Sequence, residues 1–138
     1  MKLSVLFLTI IVLGAANAAF TFQITGCSNP EMQKLLVETK DSIPEITFFD
    51  EKSANLSGIC NAVSMFELSM NNFRPPMSTA RYCDNIDLEK YVMSAIYGVL
   101  GNMEEFEKVL NILELEGNNG EIIFLKRKPF DMTESLKF

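Results

Sequence analysis

The chain has 138 residues, a net charge of −6 and no histidine. Its acidity repels phosphate backbones and anionic lipid headgroups, which argues against nucleic-acid binding and polybasic membrane association. The missing histidine removes imidazole acid–base catalysis, Ser-His and Cys-His nucleophile pairs, and most zinc and copper sites.

Residues 1–18 read as a signal peptide. Lys2 precedes an apolar run from Leu3 to Leu13, and small residues follow at Gly14, Ala15, Ala16 and Ala18. Ala16 and Ala18 occupy the small positions that a signal peptidase requires. The apolar run falls short of the ~20 residues that span a bilayer. Cleavage after Ala18 leaves Ala19–Phe138 as a single secreted domain, one unit more acidic because Lys2 is lost. No membrane span is expected after this removal. Ile24-Thr25-Gly26-Cys27 also resembles a bacterial lipobox, which would make Cys27 a lipid anchor.

Three cysteines remain: Cys27, Cys60 and Cys83. In an oxidising compartment an odd count implies one bridge and one leftover thiol, either buried or available for a Cys-linked dimer.

Phe20–Thr25 alternates apolar and polar residues and predicts a short extended segment. Ser28-Asn29-Pro30-Glu31 is a capping box that starts a helix running to about Ser42, with Pro44 ending it. Ile46, Phe48 and Phe49 form an apolar cluster outside any stripe, and an exposed contact patch is one reading of Phe48 and Phe49. A second helix is expected from Ser53 to Asn71. Its stripe is Leu56, Ile59, Cys60, Val63, Phe66, Met70 and Phe73, spaced by threes and fours. Gly58 inside it costs about 1 kcal/mol relative to alanine, so it marks either the true helix start or a close contact.

Asp84-Asn85-Ile86-Asp87 starts a third helix that ends near Gly101. Asn102 caps a fourth, running through Leu113 or so, with Glu104 and Glu105 at its positive end. Gly117-Asn118-Asn119-Gly120 is a turn. Residues 121–125 then read as a strand, or as the second arm of a hairpin beginning near Ile112. Lys126-Arg127-Lys128 is read as a solvated basic turn, and residues 129–138 as a flexible tail, with a weak terminal helix over Asp131–Phe138 as the alternative.

Together these elements predict a mainly α domain. It is a small up-and-down four-helix fold with a short N-terminal extended segment and a short strand or hairpin near 112–126. That connectivity brings Cys27 and Cys83 to one end, so they are expected to bridge while Cys60 stays a buried free thiol. Asn55-Leu56-Ser57 is an N-glycosylation sequon for a eukaryotic secretory pathway.

The expected function is non-enzymatic binding of an extracellular protein partner, cytokine- or effector-like in shape only, with no cofactor. The alternative is an extracellular carrier of a lipid or other apolar molecule. Phe48, Phe49, Met65, Phe66, Met70 and Phe106 are the candidate contacts, either with a partner or as the lining of a Phe/Met-rich helical cavity.

Overall fold

The computed structural model describes residues 19–39, 42–69 and 72–128. The expected leader, Met70 and the 129–138 tail therefore lie outside the described residues or at their margins. The four-helix expectation is overturned. The described residues form one curled, eight-stranded antiparallel sheet with three short helices.

In chain order the elements are β1 (Phe20–Cys27), α1 (Pro30–Glu38), β2 (Glu45–Asp50), β3 (Ser53–Ser57) and β4 (Val63–Ser69). Two short strands follow, β5 (Asn72–Phe73) and β6 (Met77–Ser78). Then come α2 (Ile86–Tyr97), α3 (Met103–Ile112), β7 (Glu114–Glu116) and β8 (Ile122–Arg127). Spatially the order is β5-β4-β3-β2-β1-β8-β7, with β6 also paired to β4.

The region expected as the second helix is the hairpin β3–β4. Its residues satisfy two periods at once. Leu56, Val63 and Phe66 fall at helical spacing, but Ala54 and Leu56 alternate with Ser53, Asn55 and Ser57. Val63 and Met65 likewise alternate with Ser64 and Phe66, and the strand burial follows the two-residue period. Gly58 decides the contest. Its φ is +90°, outside the helical region, and a Cβ there would lie 2.8 Å from the Ile43 carbonyl oxygen. Only glycine fits that close approach. The basic triplet is corrected too: Lys126 and Arg127 belong to β8 rather than to a turn.

Other local signals match the structure in part: the helices expected to end near Ser42 and Gly101 end at Glu38 and Tyr97. The N-terminal extended segment is β1, and Asn29, not Ser28, caps α1 by accepting from the amides of Glu31 and Met32. The Asn102 side chain accepts from the Glu105 amide and caps α3. Residues 112–116 divide between the two readings: α3 ends at Ile112, Leu113 takes φ +62°, and β7 begins at Glu114.

The sheet buries one face. Phe22, Ile46, Phe48, Leu56, Met65, Leu115 and Ile123 point inward, where they meet Leu88, Val92, Ala95 and Ile96 of α2. Each fully buried Leu, Ile or Val side chain contributes about 1.5–3 kcal/mol. Three phenylalanines interlock edge-to-face here: Phe22 on Phe48 at 6.3 Å, and Phe48 on Phe106 at 5.6 Å. The outward face of the central strands carries Thr21, Thr47, Asn55 and Ser64 in one cross-strand row.

One polar cluster ties helix to sheet. Glu89 on α2 is 3 % exposed. Its carboxylate accepts from the amides of Cys60 at 3.1 Å and Asn61 at 2.6 Å, and from the Asn61 side-chain amide at 3.2 Å. The other end of Asn61 accepts from the Arg81 amide at 2.7 Å and the Thr79 hydroxyl at 2.9 Å.

The same loop carries the disulfide, which joins Cys60 to Cys83 with Cα atoms 5.8 Å apart. The expected Cys27–Cys83 pairing is thus corrected, because Cys60 sits in the β3–β4 loop rather than on a helix. Cys27 is the buried free thiol. It closes β1, whose residues pair with both β2 and β8. Lipidation with cleavage before Cys27 would delete that central strand, so the lipobox reading is incompatible with this fold.

Two predictions follow from this cluster. Replacing Glu89 by Gln keeps one acceptor oxygen but turns the other into an NH2 donor, which faces at least one of the three N–H groups that the carboxylate serves, so E89Q should lose about 2–3 kcal/mol in urea unfolding. A loss under about 0.5 kcal/mol would show that the cluster is not an anchor. Burial also raises the Cys27 thiol pKa above its usual value. A thiol reagent should therefore label no cysteine in the native protein, one in denaturant, and all three after reduction. A peptide linking Cys27 to Cys83 would contradict the pairing.

Candidate functional site

The corner where α2 turns into α3 is crowded by backbone rather than by side chains. Gly98 follows α2, and a Cβ there would lie 3.0 Å from the Gly117 Cα. A Cβ on Gly117 would in turn lie 2.8 Å from the Ala95 Cα. These small residues let the β7–β8 turn lie directly against α2. Gly101, at φ +80°, donates to the Glu51 carbonyl at 2.6 Å and so locks onto the β2–β3 turn.

A groove of about 350 Å³ opens at this corner. Phe73, Tyr97, Leu100 and Met103 form its apolar wall, with Asn102 and Asn118 on its polar side. Phe73 packs edge-on against Tyr97 with centroids 5.0 Å apart. The Tyr97 hydroxyl is buried and has no hydrogen-bond partner among the described residues. Burial raises its pKa above the usual tyrosine value, so it remains a neutral hydroxyl able to donate or accept. A second groove of about 330 Å³ shares Gly98, Asn102 and Asn118 with the first and continues past Glu105, Lys108 and Glu116.

The electrostatics of this corner are acidic. Glu67 occupies an inward position of β4 and is 5 % exposed. Its carboxyl group lies against Gly101, filling the space a side chain there would need. Lys108 pairs with Glu105 at 3.2 Å, an exposed contact of small energetic weight.

Glu121 is buried behind Gly117. Burial opposes its charge, but hydrogen bonds from backbone amides, Ser94 and Asn119 outweigh that cost and hold its pKa below the usual carboxylate value. The Asn119 amide lies 3.0 Å from its Oε1.

Glu67 and Tyr97 were not foreseen as site residues. The signal for Glu67 was a carboxylate in phase with Val63 and Met65 on an otherwise apolar face. Tyr97 gave no separate signal, because it reads as the end of a helical stripe.

The expected contacts separate into two groups. Phe48, Met65 and Phe106 are buried in the core, and packed neighbours surround them. Phe49 and Phe66 are exposed by 46 % and 41 % on the outward side of the sheet. Met70 lies outside the described residues. Of the five that are described, none lines the groove at the α2–α3 corner. A third cleft, of about 250 Å³, lies between α1 and α2 beside Glu38 and Asp84.

Among the described residues, no helix is long and apolar enough to cross a membrane, and no group of three or more acidic or cysteine side chains converges to hold a metal. No family model, no curated protein and no solved structure matches this chain.

Two predictions arise here. Tyr97→Phe removes an unsatisfied buried hydroxyl, so stability should be unchanged or rise by up to about 1 kcal/mol. A loss larger than that would reveal a structural bond to the hydroxyl. For Glu121, a depressed folded pKa gives stability that is present above the unfolded value of 4.5 and is lost as pH falls through the folded value. Chemical denaturation of E121Q should show a loss of about 1–2 kcal/mol at pH 7 and a shallower decline below pH 4.5. Parallel acid limbs for the two proteins would contradict this assignment.

Proposed function

We propose that this chain is a secreted, non-enzymatic binding protein that uses the α2–α3 corner groove to hold a segment of an extracellular protein partner. The orphan Tyr97 hydroxyl carries this reading. A buried hydroxyl without a partner costs free energy in the folded chain, and a ligand that bonds to it recovers that cost. The aromatic and aliphatic wall suits an apolar side chain, while Asn102 and Asn118 suit a peptide backbone. The surrounding carboxylates and the net charge of −6 favour a basic segment.

The carrier reading draws less support. The Phe and Met side chains once assigned to a cavity wall, Phe48, Met65 and Phe106, instead fill the core. Secretion is consistent with the Cys60–Cys83 bridge, since such bonds persist in oxidising compartments.

Selection of random displayed peptides on the folded, oxidised protein tests the groove. Enriched peptides should place Lys or Arg beside an apolar residue. Their affinity should fall about tenfold in Y97F, as expected for one lost hydrogen bond in a buried site. It should also weaken as salt screens the acidic corner. Enrichment of nothing, or peptides indifferent to both Y97F and salt, would overturn the assignment. N-terminal sequencing of the product from a eukaryotic culture medium should begin at Ala19. Retention in the cells with Met1 intact would refute secretion.

A further inference from the structure

The outward face of the sheet poses a separate problem. Leu56 is fully buried, so its neighbour Asn55 points the other way and is partly exposed. Register pairs Asn55 with Thr47 on one side and Ser64 on the other. Two residues further along, Ser53 pairs with Phe66 on β4 and with Asp50 on β2, where a bulge between Phe48 and Asp50 leaves Phe49 unpaired beside Asp50. Phe66 is therefore a diagonal neighbour of Asn55, a separation within reach of long and aromatic groups, and Phe49 flanks the same stretch from the bulge on the other side. Both rings are left substantially exposed, and Leu68 extends the patch with 57 % exposure. This apolar patch lies on an otherwise polar sheet face, bordered by Ser and Thr and by the Asp50 carboxylate, which accepts from the Ser53 hydroxyl at 3.0 Å, and such a patch marks a contact site.

Asn55-Leu56-Ser57 is the chain's only Asn-X-Ser/Thr triplet. We infer that Asn55 carries an N-linked glycan whose first sugar lies over Ser53 between Phe49 and Phe66, covering them. The glycan is the occupant because it is tethered at the head of the patch and matches its chemistry. The axial C–H groups of a pyranose are weakly positive and meet the negative faces of the rings. Sugar hydroxyls can bond to Thr47, Ser53 and Ser64 at the margin.

In the transfer, Asn55 Nδ2 bonds to the anomeric carbon of a lipid-diphosphate-linked oligosaccharide. That carbon's bond to the diphosphate oxygen breaks, the amide gives up one proton, and the lipid diphosphate leaves. This inference rests on passage through a eukaryotic secretory pathway.

The test expresses the full chain in a eukaryotic secretory host, once with residues 1–18 and once with a proven secretion leader in their place. Intact mass should show one glycan that peptide N-glycosidase removes, and that both N55Q and S57A abolish. A glycan seen only with the replacement leader would support the site while refuting secretion by the chain's own leader. No glycan with either leader would overturn the site.

The seat is tested separately. Endoglycosidase trimming of the native glycoprotein should be about fivefold faster in F66A than in wild type, at equal occupancy. Proton signals of the first sugar should be shifted upfield by ring currents, and F66A should reduce that shift. Equal trimming rates with unshifted signals would overturn the seat. So would dimerisation of the glycoprotein through Phe66, which would make a second copy the occupant.

Discussion

The buried carboxylate of Glu89 is the constraint on which the architecture turns. Strands β3 and β4 belong to the half of the sheet furthest from β8 and β7, where the chain returns. Their connecting loop has polar amides at Cys60 and Asn61 that need acceptors once buried. Glu89 supplies them from the first turns of α2, and Asn61 passes the connection on to Thr79 and Arg81. The bridge from Cys60 to Cys83 then fixes the start of α2 against the same loop. With that end held, the Leu88, Val92 and Ile96 face must lie across the inner side of the sheet. Leaving one partner unmatched in such a buried cluster is costly, so the arrangement specifies one docking of helix on sheet.

Because the helices share the inner side, the two faces of the sheet have different chemistry. The inner face is a Phe-rich core. The outer face of the central strands is a row of hydroxyl and amide side chains, with Thr21 and Thr47 joined at 3.1 Å. The α2–α3 corner lies at the margin of the core, where Gly98, Gly101 and Gly117 allow backbone segments to approach and leave a groove. The proposed partner site and the proposed glycan site therefore occupy different surfaces, so each can fail without affecting the other.

How far the sequence revealed this depended on whether a signal was local. The Ser28–Glu31 segment, Asn85 with its acidic neighbours, and Asn102 mark helix starts through hydrogen bonds or charges within one turn, although the cap of α1 is Asn29 rather than the expected Ser28. All three helices were readable from them. The strand at β1 was readable because Phe20, Phe22 and Ile24 alternate cleanly. The β3–β4 hairpin was not, because Phe66 and Leu68 put apolar groups on the outward face and blurred the two-residue period. A helical stripe then fitted equally well, and only tertiary contact at Gly58 excludes it. The disulfide error was inherited from that mistake, since pairing depends on which loop carries Cys60. Glu89 and Tyr97 were hidden within a correctly read helix: neither partner of a long-range contact announces it alone.

Amide hydrogen exchange at Cys60 and Asn61 tests the anchoring role of Glu89 most directly. These amides lie in an irregular loop, where exchange is ordinarily fast. If the carboxylate anchors the loop to α2, both should exchange only on global unfolding, as slowly as the amides of Val92 and Ile96. Exchange at the rate of the exposed β7–β8 turn, with α2 still protected, would show that the loop opens freely and that the sheet is held to the helix by other means.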